Sequence, residues 1–184
     1  MMTTEKIGVH KPADTDHADA SLLVAQHALA SAWAKWKNKK IKAGMNCPAP
    51  KILTTSAGPL SAARFGKLFI LQDVLDTGDE TLITWLTTYN AALLANPWLK
   101  RQRYLAVVSF FFSIFCLILS MFWLMAGSLI MMVLLTLTGV LSADQYAVNA
   151  INARQSIAGL KAERRFRGKK LSYFDAKRIL IMRN

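Results

Sequence analysis

The sequence predicts an all-α membrane protein: a two-helix transmembrane hairpin set between a cytoplasmic helical N-terminal region and a basic C-terminal helix. Three observations predict it. The forty residues from Tyr104 to Ala143 contain no Asp, Glu, Lys, Arg or His, and a hydrocarbon core about 30 Å thick is crossed by roughly 20 helical residues, so the run is long enough to cross twice. Cations flank it on both sides: Lys100, Arg101 and Arg103 before, and Arg154, Lys161, Arg164, Arg165, Arg167, Lys169 and Lys170 after. Elsewhere the apolar residues recur at helical spacing rather than in alternation.

Charge sets the orientation and narrows the partners. The 184 residues carry a net charge of +12, which attracts phosphate of any kind, in lipid or in nucleic acid. Residues 1–103 hold thirteen Lys/Arg against eight Asp/Glu, and residues 144–184 hold ten against three. Cationic flanks on both sides of the apolar run place both termini in the cytoplasm by the positive-inside rule. The expected localisation is an integral protein of the bacterial inner membrane, against a bilayer with anionic headgroups.

Residues 1–18 are polar and read as a flexible tail. Residues 19–96 read as a cytoplasmic helical region. Within it, a helix over about residues 19–42 is indicated by Leu22, Leu29, Trp33 and Trp36 on one stripe, with Asp residues at its start and Lys35, Lys37, Lys39, Lys40 and Lys42 at its end, as the helix dipole prefers. Its Trp/Leu face could serve as core or lie in the headgroup region. Pro48 to Pro59, rich in Pro, Ser, Thr and Gly, reads as a linker. The apolar group Phe65, Leu68, Phe69 and Leu71 fits a short helix or strand. Thr77 and Glu80 have capping-box spacing, and Leu82, Trp85, Leu86, Tyr89 and Leu93 then form one stripe of a helix over about 78–95.

Asn96-Pro97 suits an N-cap followed by the first turn of the next helix. The first membrane helix is therefore assigned to 97–126, the turn to 127–128 beside Ala126-Gly127-Ser128, and the second helix to 129–145. Trp98 and Tyr104 bracket the basic triplet Lys100, Arg101 and Arg103, the pattern of a headgroup-level belt. Residues 146–184 read as a basic cytoplasmic helical tail, in which Arg164, Arg165, Arg167, Lys169 and Lys170 would meet lipid headgroups. Gly168 is a helix stop, and Ser172 to Asp175 offers a second capping spacing.

Within the apolar run, Ser109, Ser113, Cys116 and Ser120 fall on one face of the first helix, and Thr136, Gly139 and Ala143 form a matching set on the second. Small residues let helices approach and their hydroxyls bond across the interface. These faces would close the hairpin, or dock it onto another membrane protein or onto further copies of itself.

Several classes are disfavoured. No ionisable residue lies within the crossings, against a proton relay or charge-lined pore. No nucleotide, metalloprotease or hydrolase motif is present, so the chain is not expected to be an enzyme, to carry a cofactor or metal, or to take a small-molecule substrate. His10, Asp14 and His17 could be drawn as a metal site but sit in a polar tail with nothing to orient them. The segment RRFRGKK at residues 164–170 could contact single-stranded nucleic acid, yet its place beside the apolar run makes a lipid partner the better expectation. The resulting reading is a non-enzymatic inner-membrane subunit of a larger bacterial assembly, such as a secretion or conjugation machine, with other membrane subunits or copies of itself as partners. Its alternatives are a membrane-acting toxin, effector or holin-like hairpin, and a membrane-tethered nucleic-acid binder.

Overall fold

A computed structural model describes residues 15–38, 49–64 and 66–183. Among the described residues, seven helices and three strands follow in the order α1 (Thr15–Asn38), β1 (Lys51–Thr55), β2 (Ser61–Arg64), β3 (Lys67–Leu71), α2 (Gln72–Asp76), α3 (Glu80–Ala95), α4 (Pro97–Ile118), α5 (Phe122–Ile151), α6 (Ala153–Phe166) and α7 (Tyr173–Arg183). The chain is thus mostly helical, and α4 and α5 are long and apolar enough to cross a membrane. Only 17% of the most apolar window of α4 and none of that of α5 is buried, so these apolar stretches stand outside the core.

The all-α expectation needs one correction, a small sheet. β3 lies at its centre, paired in parallel with β1 from Lys51↔Lys67 to Thr55↔Leu71 and antiparallel with β2 from Ser61↔Ile70 to Arg64↔Lys67. The apolar group near Leu68 is therefore a strand, and the presumed linker contains another. The Pro, Ser and Gly residues around Lys51–Thr55 mask a five-residue run rich in β-branched side chains, which suit a pleated surface. Leu68 and Ile70 are fully buried and pack on Val74, Leu75, Leu82 and Ile83.

Helix α1 starts earlier than expected, so residues 15–18 belong to it and not to a tail. Residues 1–14 and 39–48, including His10, Asp14, Cys47 and the far end of the lysine cluster, lie outside the described residues. The Trp/Leu face of α1 is core: Leu29, Trp33 and Trp36 are buried against Ala91, Ala92 and Ala95 of α3 and Ala150 of α5. The Trp36 indole donates to the Tyr146 carbonyl at 3.2 Å, and the Lys35 ammonium donates to that of Ala150.

Helix starts follow local chemistry. Asp79, not Thr77, caps α3, accepting from the amides of Thr81 and Leu82 at 3.0 and 3.1 Å; Thr77 instead donates back to the Val74 carbonyl. Asn96 caps α4 by accepting from the Trp98 amide at 2.9 Å, with Pro97 in the first turn. Ser172 and Asp175 form a reciprocal capping box at the start of α7: Ser172 N–H donates to Asp175 at 2.9 Å and Asp175 N–H donates to the Ser172 hydroxyl at 3.1 Å.

The hairpin turn lies at Leu119 to Met121, not at 127–128. The α5 helix runs unbroken through Ala126, Gly127 and Ser128, because a lone Gly in a helix interior costs only about 1 kcal/mol relative to Ala, less than the backbone hydrogen bonds a break would forfeit. The reversal uses Ser120 at φ 58°, in the left-handed region. At the other end, α5 continues past the apolar stretch to Ile151. Asn152, at φ 74° and ψ 165°, then redirects the chain into α6 while its side chain accepts from the Gln155 amide.

The C-terminal part is not a separate tail. Ala147, Leu160, Ala162 and Met182 are buried in the same cluster as Leu68, Val74, Leu82 and Trp85, so Ala147 and Leu160 face the chain's own core. Residues before and after the hairpin form one domain at one end of it. Gly159 permits the closest approach: a Cβ there would sit 2.2 Å from the Trp85 Cβ, so α3 and α6 are in backbone-level contact.

Candidate functional site

The chemistry concentrates where α4 and α5 meet the folded domain. Asp144, the first charge after the apolar run, is fully buried, and Arg178 of α7 grips it with Nε and a terminal nitrogen, each at 2.7 Å. Such a bidentate pair satisfies both carboxylate oxygens in one plane. Burial alone would lower the Arg178 pKa, but the Asp144 carboxylate holds it above the usual arginine value. Arg178 also lies over the rings of Tyr89 and Trp85, 5.6 and 6.0 Å from their centroids.

The network extends outward through Asp175, which pairs with Arg164 at 2.7 Å and approaches Arg178 at 3.7 Å. Glu163 accepts from the Trp85 indole at 3.1 Å and from Arg167 at 2.8 Å. Carboxylates and guanidiniums of this network therefore neutralise one another. By tying α7 and the end of α6 to Asp144, the same pairs bring the basic α6–α7 connection to the level at which α5 leaves its apolar stretch.

Beside this network, α3, α4 and α5 enclose a cavity of about 370 Å³ lined by Tyr89, Gln102, Arg103, Thr136 and Gly139 among apolar neighbours. Burial pushes the Tyr89 phenol up to about 12, so it stays protonated across the physiological range. Gln102 is only 6% exposed. Its Nε2 donates to the Thr138 hydroxyl at 3.3 Å, and that hydroxyl donates to the Leu134 carbonyl at 2.8 Å. Thr138 can therefore only accept from Gln102, which points Oε1 away from it, toward Gly139.

The small residues of the two apolar helices fall in different surroundings. Ser113 and Cys116 are buried and Ser109 half-buried. The Ser113 and Ser128 hydroxyls lie 2.6 Å apart across the hairpin; whichever donates to the other leaves the second to donate to its own helix, at the Ser109 or Met125 carbonyl. Ser120 does not join them, because it is in the turn and exposed. On α5, Ala143 is fully buried against Leu93 and Leu99. Thr136 is exposed and donates to the Met132 carbonyl, and Thr136 and Gly139 line the cavity.

Of the expected headgroup residues, Trp98, Arg101, Arg103 and Tyr104 are exposed at the domain end of α4, and Arg165, Arg167, Lys169 and Lys170 are exposed on the α6–α7 connection. Arg164 is the exception, held half-buried by Asp175. Exposed Phe166, Leu171 and Tyr173 accompany the cations there. Among the described residues no group of three or more His, Cys, Asp or Glu could hold a metal. Asp144, Arg178, Gln102, Ser128 and Thr138 escape sequence reasoning; the signal for Asp144 was its place as the first charge after forty uncharged residues.

No protein-family model matches the chain, and no curated protein or solved structure is similar to it.

Proposed function

We propose that the protein is a non-enzymatic subunit of a larger bacterial inner-membrane assembly, such as a secretion or conjugation machine, in which α4 and α5 cross the membrane as a hairpin and hold one folded domain at the cytoplasmic face. The observation that carries this reading is the shared core: segments before and after the hairpin build a single domain, so both must lie on the same side of any bilayer the hairpin enters. Cations at both flanks favour the cytoplasmic side. Their concentration on the α6–α7 connection, interleaved with Phe166, Leu171 and Tyr173, suits anionic headgroups.

A subunit role fits the domain better than permeabilisation does. A pore-forming hairpin has no need of a domain with its own sheet, core and buried ion pairs. The domain also offers a partner surface, a polar groove of about 500 Å³ between α1, α3, the end of α5 and the start of α6, lined by Leu23, His27, Lys35, Glu80 and Gln155.

Topology and partnership are separate measurements. With Cys47 and Cys116 replaced by Ser, single cysteines at Ala20, Ser120 and Lys169 are labelled with a membrane-impermeant maleimide in intact and opened cells. The expected pattern has position 120 reacting from outside and positions 20 and 169 reacting only after opening. Positions 20 and 169 reacting from opposite sides would exclude the hairpin. Purification in mild detergent should yield stoichiometric membrane-protein partners or a homo-oligomer, and a solitary monomer would count against the subunit role.

A further inference from the structure

The cavity between α3, α4 and α5 combines features that packing alone does not require. Its lining is largely apolar and comes from the two membrane-candidate helices, with Tyr89 and Leu93 of α3 closing one side. The exposed Arg103 stands on it as a cation, and the protonated Tyr89 phenol offers a donor. The Oε1 of Gln102, on a side chain more than nine-tenths buried, accepts no hydrogen bond from any described residue. A buried amide oxygen without a donor is costly, and such atoms ordinarily have a partner. Gly139 keeps the space beside it open: a Cβ there would lie 3.7 Å from Oε1, so a methyl fits while a longer side chain would fill the cavity.

Location narrows the ligand. The cavity begins within the Trp98 to Tyr104 belt, at Leu99, Gln102 and Arg103, and runs on to Ala106, Val107 and Leu135, the depth at which the headgroup and glycerol of a phospholipid would sit. Arg103 answers a phosphate, and Gln102 Oε1 answers a donor on the same molecule. A choline headgroup has no such donor, whereas ethanolamine has N–H and glycerol has O–H. We propose that this cavity binds the headgroup end of a phospholipid bearing an N–H or O–H donor, with the phosphate on Arg103 and the donor on Gln102 Oε1. The inference rests on the membrane reading above.

The test uses the full-length protein, delipidated in detergent and titrated with dioleoyl phosphatidylethanolamine, phosphatidylglycerol or phosphatidylcholine, with bound lipid counted by native mass spectrometry. One molecule of phosphatidylethanolamine or phosphatidylglycerol should be retained in preference to phosphatidylcholine. Gln102→Leu should reduce that preference by about tenfold, the worth of one hydrogen bond with a charged or strongly polar partner. Gly139→Leu should abolish retention, with its unfolding midpoint by tryptophan fluorescence, expected to stay near that of the parent, as the folding control. Equal retention of all three lipids, a preference unaltered in Gln102→Leu, or retention surviving in Gly139→Leu would overturn the proposal. The topology experiment is independent: a failed hairpin removes the membrane reading, whereas a correct hairpin without selective retention removes only the lipid site.

Discussion

Arg178 reaches Asp144 across 34 positions of sequence and binds it through two 2.7 Å hydrogen bonds, joining the last helix to the point where α5 leaves its apolar stretch. Removing one partner leaves the other as an uncompensated buried charge. Asp144→Asn and Arg178→Met should each destabilise the domain by about 3–5 kcal/mol. The double replacement Asp144→Leu with Arg178→Met should recover a large part of that loss, since it removes both charges. Chemical denaturation in detergent, followed through tryptophan fluorescence, reads all three; single variants as stable as the parent would show that the pair is solvated.

The Asp175 carboxyl predicts an acid sensitivity. Its burial acts to raise its pKa, but the Ser172 amide, Arg164 and the Ser172 hydroxyl outweigh that and hold it below the ordinary carboxyl value. A depressed native pKa contributes stability that is full above the unfolded value near about 3.9 and is lost as pH falls through the lower native value. Asp175→Asn should therefore weaken the domain at pH 7 by roughly 1–3 kcal/mol and flatten this part of its acid dependence. An identical acid limb in the two proteins would assign the sensitivity elsewhere.

Gly159 predicts a steric threshold. The added methyl of Gly159→Ala would meet the Trp85 Cβ at 2.2 Å, an atom that cannot swing aside as the end of a long side chain could. Separation of α3 from α6 should cost about 3 kcal/mol, visible as a lowered unfolding midpoint. The intrinsic preference of helices for Ala over Gly acts in the opposite direction and is smaller, at about 1 kcal/mol.

Two substitutions discriminate between possible hairpin tips. Gly127 lies inside α5 with open space where a Cβ would be, so Gly127→Ala should stabilise by up to about 1 kcal/mol. Ser120 holds φ 58°, and Ser120→Gly should stabilise by about 1 kcal/mol by removing a left-handed penalty. Unfolding titrations in mixed micelles read both variants, and a destabilising Gly127→Ala would return the turn to residues 126–128.

Much of the architecture was legible in the sequence because it rests on local chemistry. A charge-free run forty residues long can form two apolar helices, Asn96-Pro97 supplies a capping side chain and a preset φ for the first turn, and Ser172 and Asp175 cap one another within a single turn. The strand Lys51–Thr55 was not legible, since five residues amid Pro and Gly acquire extended structure only by pairing with β3. Nor was the turn: Gly127 weakens a helix without ending it, and packing across the seam, through Ser113 and Ser128, decides where the chain reverses. By itself the sequence determined two long apolar helices with cationic flanks. Only the tertiary structure decided that those flanks share one core, that Asp144 is held by Arg178, and that Gln102 faces a cavity, because each depends on contacts between residues far apart in the chain.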